Sequence, residues 1–504
     1  MARSDNPNII LVLVDTLRSD HLSCYGHCRR TSPRLDALAE DATLYTNAIS
    51  PGAWTPPSHA SIFTGTFPSR HGVDRAHPYL DGKLTTLPEY LHDVGYRTYG
   101  ISSNYWIGAA TFFDRGFDVF SHSWQLVQAR TNPSLERQRR RDPSYSGVSG
   151  PRTIDERLRA FINSLDAAFW RRCCRPVMAV DKGAARVTRT VRRWIRQWSQ
   201  MEEPFFAFVH FMEPHLPYEP PARFRRRHLT GRLDERARSV NQNALKFITG
   251  RVSMSPDDFE ALRRLYDAEI SYTDHCIGEI LDSLRDARLL DNSMFIVTSD
   301  HGENIGEHGL MDHMFSLHEP IVHAPLLVRY PGGDHRGIDG RLVQTHDIFP
   351  TIATLLNGGS NGASANGHQE TLASQFQAGA LPPFGPPRPF AVTELNQIQP
   401  PIPTLSRRYP DFGWQVYDRS LRAVRTLTEK LVRAGDGTEQ FYAVQSDPGE
   451  TTDLAVVEPQ RANALRALLD DWEADIRPAE QTDDSRELDA DLRRRLEDLG
   501  YLQE

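Results

Sequence analysis

The sequence predicts an α/β protein, with a mostly parallel central sheet between layers of helices and a small antiparallel sheet near the C-terminus. Short unbroken apolar runs at residues 9–14, 205–211 and 294–298 have the character of strands covered on both faces. Residues 257–284 set Leu262, Tyr266, Ile270, Ile277, Leu281 and Leu284 on one helical stripe. Strands alternating with long helices imply parallel pairing, because parallel neighbours need a crossover between them. The late runs at 421–427, 430–433 and 440–444, around the turn signal Asp436-Gly437, predict short hairpin-linked strands instead.

In chain order, the first strand stops at Asp15. Thr31-Ser32-Pro33, followed by Leu35, Leu38 and Ala39, reads as an N-cap, a first-turn proline and an amphipathic helix. Residues 122–200 concentrate arginine and tryptophan and predict a helical insertion: a solvated face, a cap over an anionic substrate, or a subunit contact. Residues 357–389 pass through GGSNGASANG and LPPFGPPRP and predict a long loop. The expected layout is a main domain at 1–388 carrying the 122–200 insertion, a small antiparallel-sheet unit at 389–475 and a charged helical tail at 476–504.

A chain of 504 residues, 39% apolar and 25% charged, buries a large core. Its net charge of -8 argues against a nucleic-acid partner, since counterion-release binding needs a basic face. The apolar run at 9–14 is cut by Asp15 with no small-residue cleavage site after it, so it reads as a strand rather than a signal peptide. No membrane span is legible. Five cysteines, Cys24, Cys28, Cys173, Cys174 and Cys276, make a disulfide framework unexpected, and a cytoplasmic protein follows.

The chemistry gathers at strand ends. Asp15, His215 and Asp300 each lie just past an apolar run, where functional groups of such sheets converge; singly, each equally marks where its strand stops. Trp54-Thr55-Pro56-Pro57-Ser58-His59 opens a helix ending near Gly65. A hydroxyl there sits where free N–H groups bind anions, yet Thr55 alone reads as readily as an N-cap. Asp300 and His301, with Asp15, offer oxygen, oxygen and nitrogen, a set suited to a divalent cation. Such a cation would make a neighbouring threonine hydroxyl a usable nucleophile.

NIILVLVDTLRSDHLSCYG, WTPPSHASIFTGTFPSRHGV, PFFAFVHFMEPHLPY, IVTSDHGENIGEHGL and DPGETTDL together resemble, in order, the sulfatase-type members of the alkaline-phosphatase superfamily. The resemblance implies an alkaline-phosphatase-like fold with one metal site at the carboxyl edge of the sheet. Residue by residue, it implies Asp15, Asp300, His301 and Thr55 as metal ligands and Thr55 as nucleophile. His215 and His313 resemble the histidines that hold the transferred group or protonate the leaving oxygen, and His59 and Asn104 fall at substrate-contacting positions. Glu303 and Glu307 are expected to cap, to face solvent or to orient a metal-bound histidine.

Four departures bear on the reaction. Thr55 stands where the family carries the Cys or Ser that becomes formylglycine, so no formylglycine is expected. His59 replaces the motif's arginine, Thr16 stands where many sulfatases have a second Asp, and His313 stands near a usual lysine. Together they resemble the phosphodiesterase, phosphatase and phosphoethanolamine-transferase branches. The expectation is a phosphoester hydrolase working through phosphothreonine, with one Mn2+, Zn2+ or Ca2+ and a small anionic ester as substrate. The alternatives are a sulfatase, a phosphoryl or phosphoethanolamine-type transferase, and a non-catalytic binding protein that keeps the fold. An oligomer is compatible with all of them.

Overall fold

The central sheet has eight strands in the order β10-β2-β9-β6-β1-β5-β3-β4. In this computed structural model the described residues are 6–476, apart from 82–83, 125–180, 358–371 and 373. The strands are β1 (Asn8–Val14), β2 (Thr43–Ile49), β3 (Arg97–Ser102), β4 (Val119–His122), β5 (Phe205–Phe211), β6 (Ser293–Thr298), β9 (His323–Arg329) and β10 (Gly337–Gln344). A two-stranded ribbon, β7 (Asn304–Ile305) with β8 (Met311–Asp312), follows β6. All pairings of the large sheet are parallel except those of β9, which runs against both β2 and β6. The mostly parallel sheet expected from the sequence is present.

β1 lies at the centre and is buried along its whole length. Its alternate residues feed two cores, as the period of a strand requires. Ile10, Val12 and Val14 face helices α1 (Pro33–Ala39), α3 (Ala184–Trp198) and α5 (Pro256–Asp286), whereas Ile9, Leu11 and Leu13 face α2 (Thr55–Thr64) and α6 (Ile348–Leu356). Helix α5 starts at a capping box between Ser255 and Asp258, with Pro256 in its first turn, which satisfies orphan N–H groups. Each large apolar side chain so buried contributes roughly 1.5–3 kcal/mol.

Of the 122–200 stretch, residues 125–180 lie outside the described residues. Its last part is helical: in α3, Val187, Val191, Trp194, Ile195 and Trp198 are buried against β5 and α5. Arg192, Arg193 and Arg196 cover its outer side. Of the 357–389 loop, residues 358–371 and 373 are likewise not described. Cys24, Cys28 and Cys276 are free, and Cys173 and Cys174 fall outside the described residues.

The small sheet has strands β11 (Ala391–Leu395), β12 (Leu421–Arg425), β13 (Lys430–Ala434) and β14 (Glu439–Tyr442), all antiparallel. β11 escaped the sequence reading. Helix α7 (Pro459–Asp475) covers one face through Ala462, Leu465 and Leu469. The other face, with Ala423, Val432 and Tyr442, packs with Trp54, Phe315 and Ile321 from around the strand ends of the large sheet. A buried ionic cluster reinforces this contact: Glu319 accepts from Arg425 at 3.1 Å and Lys430 at 3.2 Å, and Lys430 also pairs with Glu450 at 2.8 Å. Glu450, from the DPGETTDL motif, accepts the Glu319 backbone N–H at 2.7 Å. No helix among the described residues is long and apolar enough to cross a membrane.

Candidate active site

Asp15, Asp300 and His301 meet beyond the ends of β1 and β6, with one ligand-type atom from each within 4.8 Å of the others, all buried. The backbone aims them. Asp15 N–H is held by Phe211 O at 2.9 Å, and the Thr16 and His301 N–H groups donate to Asp300 Oδ1 at 3.3 and 2.9 Å. Thr16 adopts φ 55°, a left-handed conformation unusual for a β-branched residue. Gly302 lets the strand end run against the next segment: a Cβ there would lie 2.0 Å from Pro320 O.

Thr55 is the first residue of α2 but not its cap. Trp54 holds the N-cap position without a side-chain cap, and Thr55 Oγ1 instead lies 3.3 Å from His301 Nε2. The helix entrance is also poorer in donors than its position suggests, since Pro56 and Pro57 carry no N–H and Ser58 N–H is spent on Trp54 O at 3.2 Å. Side chains, not the helix terminus, must therefore supply most contacts to a bound anion.

Hydrogen bonds fix several imidazole tautomers. His301 Nδ1–H donates to Gly302 O at 2.9 Å, so its Nε2 lone pair faces Thr55 and the carboxylates. His59 Nδ1–H donates to Thr55 O at 2.9 Å. It is fully buried between Phe113, Phe208 and His210, and burial holds its pKa well below the ordinary range. His59 thus lies beneath the helix. Asn104 Nδ2–H donates to Asp15 Oδ2 at 2.9 Å and its Oδ1 accepts from Trp106 N–H at 2.9 Å, so it orients the carboxylate.

The two carboxylates are not equivalent. Burial raises the Asp15 pKa, but the imidazole of His210, its Nε2 3.6 Å from Oδ2, and those of His215 and His301 outweigh it and hold the carboxyl well below the usual range. Burial, then the Asp15 charge, push Asp300 well above the usual range. Two acids in one dry site cannot both ionise unless a cation joins them. Asp15 Oδ1 and Asp300 Oδ2 are buried with no hydrogen-bond partner, and the His301 lone pair points between them, 3.9 and 3.3 Å away. This donor set fits a divalent cation.

His215 and His313 form the second side of the site, with ring centroids 5.2 Å apart, and the His313 ring lies tilted 4.4 Å from that of His301. His215 Nδ1–H donates to Leu216 O at 2.6 Å. Burial lowers the His313 pKa, but Asp312 Oδ1, 2.6 Å from Nδ1, and Glu303 raise it well above the ordinary value.

Glu303 differs from its expectation: it is completely buried, accepting from Tyr218 Oη at 2.5 Å and lying 3.9 Å from His313. Glu307 pairs with Arg18 at 2.8 Å. Arg18, which the sequence reading passed over, also donates to Glu303 O at 3.0 Å and Asp20 at 2.7 Å. It ties the loop after β1 to the loop after β6, and its presence in DTLRSDH was the only local signal.

Fold and cluster together define the class: an alkaline-phosphatase-like α/β protein with a metal-type donor set at the carboxyl edge of its sheet. The sulfatase family model matches residues 7–358, and the chain belongs to that family of ester hydrolases. Family membership carries a requirement for a divalent cation. Iduronate 2-sulfatase of Mus musculus is 28% identical over 355 residues, covering 65% of this chain and 60% of the relative. The chain thus spans about 60% of the length of that relative and of its human counterpart. Choline-sulfatase of Rhizobium meliloti is 25% identical, covering 89% of this chain and 82% of the relative. The solved phosphonate monoester hydrolase of Agrobacterium radiobacter superposes with a TM-score of 0.65 at 20% identity, over 93% of this chain and 95% of that one.

Proposed function

We propose that this protein hydrolyses phosphoesters, mono- or diesters of small anionic molecules, with Thr55 as nucleophile. The observation that carries the reading is the threonine hydroxyl itself, 3.3 Å from His301 Nε2 at the position where sulfatases keep a residue convertible to formylglycine. A threonine cannot undergo that conversion; its secondary alkoxide is suited to forming a phosphothreonine ester. Asp15, Asp300, His301 and Thr55 would hold one divalent cation, which supplies charge neutralisation for the alkoxide and for the ester's non-bridging oxygens.

The Thr55 hydroxyl gives its proton to solvent before the attack; Oγ1 then forms a bond to phosphorus as the bond from phosphorus to the ester oxygen breaks. His313, kept protonated by Asp312 and Glu303, gives its proton to the departing oxygen, and His215 holds the transferred group. Neutral His313 then takes a proton from water as the water oxygen attacks phosphorus, the Thr55–phosphorus bond breaks to return the Thr55 alkoxide, and phosphate or its monoester leaves. Asn104 keeps Asp15 in position, and His59 supports the first turn of α2 through Thr55 O.

Sulfate-ester hydrolysis is the second reading, and the names of the relatives favour it: iduronate 2-sulfatase and choline-sulfatase. The deciding experiment offers metal-loaded protein a panel of aryl sulfates, phosphate monoesters, diesters and phosphonates and searches for an adduct on Thr55 by mass spectrometry. Turnover of phosphoesters with an adduct 80 Da heavier on Thr55, about the mass of one phosphoryl group, supports the proposal. Turnover confined to sulfates, or undiminished in Thr55→Ala, overturns it.

A further inference from the structure

A cavity of about 490 Å³ opens between the loop before α1, helix α4 (Ala222–His228) and α5, and none of its described lining residues belongs to the catalytic cluster. Five arginines (29, 30, 34, 227 and 264) and two histidines line it, against a single carboxylate, Asp274. A chain of net charge -8 has no general excess of cations, so this concentration is local.

Three of these arginines are paired with a neighbouring acid: Arg29 with Asp267, Arg34 with Asp282 and Arg264 with Glu260. Arg30 and Arg227 have no carboxylate partner among the described residues, and both are exposed; Arg227 only rests over the Phe224 ring, 5.2 Å away. Asp274 is not available to them. Its Oδ1 caps α1, accepting from Arg34 and Leu35 N–H at 3.0 and 2.8 Å, its Oδ2 accepts from Arg34 N–H at 3.1 Å, and burial pushes its pKa up to about 7. His228 and His275 are held below their ordinary value first by burial, with Arg227 contributing at both. Converging guanidiniums that lack an internal counter-charge form a ready-made site for a multivalent oxyanion.

We propose that this cavity binds a small molecule bearing two or more phosphate or sulfate groups, at a site separate from the catalytic one. Arg30 and Arg227 supply the charge-assisted hydrogen bonds that no protein carboxylate takes. The inference is independent of how Thr55 acts.

The test is calorimetric titration of the full, metal-loaded chain with fructose 1,6-bisphosphate and, separately, inositol hexasulfate, at about 0.15 M salt, where long-range attraction is screened. Saturable binding of either probe is expected in the unaltered protein and in Thr55→Ala, with the tighter probe naming the phosphate or sulfate source. It should weaken about a hundredfold in the Arg30→Glu, Arg227→Glu double variant, from the loss of two charge-assisted contacts. Both side chains are exposed, so the double variant should fold; its circular dichroism and its esterase activity should be unchanged. Absence of saturable binding below about 1 mM, equal affinity in the double variant, or binding abolished by Thr55→Ala would each overturn the proposal.

Discussion

Thr55 Oγ1 and His301 Nε2 stand 3.3 Å apart although 246 residues separate them in sequence. The hydroxyl comes from the first turn of a helix on one face of the sheet, and the imidazole from the loop after a central strand. In the proposed reaction, replacing Thr55 by Ala removes the attacking atom while leaving the surrounding core filled. Turnover should fall by at least about a thousandfold with the melting temperature nearly unchanged, and Thr55→Ser should retain measurable activity. Parallel rate and calorimetric measurements check both.

Asn104→Ala removes the amide that orients Asp15 at 2.9 Å. Partners of this kind are worth about 10–100-fold in metal affinity. Competition with a chromogenic chelator should register that loss without a change in metal stoichiometry at saturation.

His313 is held protonated well above the ordinary imidazole range, burial being outweighed by Asp312 and Glu303. As the proton donor to the leaving oxygen, it should sustain activity through neutral pH, with loss as pH rises through its elevated pKa. Asp312→Asn removes the principal counter-charge and should move the alkaline limb of the kcat/KM profile to lower pH. An unmoved limb would remove His313 from the donor role.

Acid stability has a separate origin in His71. Its Nε2–H donates to Ser61 Oγ at 3.0 Å, while Nδ1 accepts Val73 N–H at 3.0 Å. It is therefore bound in its neutral form, and burial lowers its pKa from 6.5 to about 3. The folded state resists a proton that the unfolded chain takes up, so this contribution is complete above pH 6.5 and is lost as pH falls toward 3. By about pH 5 the loss amounts to about 2 kcal/mol. His71→Gln should flatten the fall in denaturation midpoint between neutral pH and pH 5, as urea titrations would record.

Gly302→Ala sets a methyl group 2.0 Å from Pro320 O. Relief requires the loops after β6 and before β9 to part, at a cost of roughly 1–3 kcal/mol. Because that movement carries His301 and Asp300 with it, metal affinity should fall together with thermal stability.

Much of the architecture was legible because strands and helices announce themselves by period. The runs at 205–211 and 294–298 correspond to β5 and β6, and the stripe at 257–284 to α5. Helix α3 carries two patterns at once: its arginines dominate the composition, while five apolar positions at helical spacing do the packing. β11 is not legible beside a proline-rich stretch, since its five residues, buried between the two cores on either face of the small sheet, carry too short a pattern.

The sequence by itself determined which residues stand at the strand ends, and so the presence of Asp15, Asp300 and His301 in one zone; a parallel sheet delivers its carboxyl ends to one edge. Tertiary structure alone decided their relations. It turned Thr55 away from capping, spent Asn104 on Asp15, sank His59 beneath the helix and buried Glu303 behind His313. Those outcomes depend on loop paths and on the small sheet packed around Trp54, and on desolvation that only a closed core creates. Local sequence encodes period and chain direction, whereas side-chain protonation and partner choice follow from what surrounds each group in space.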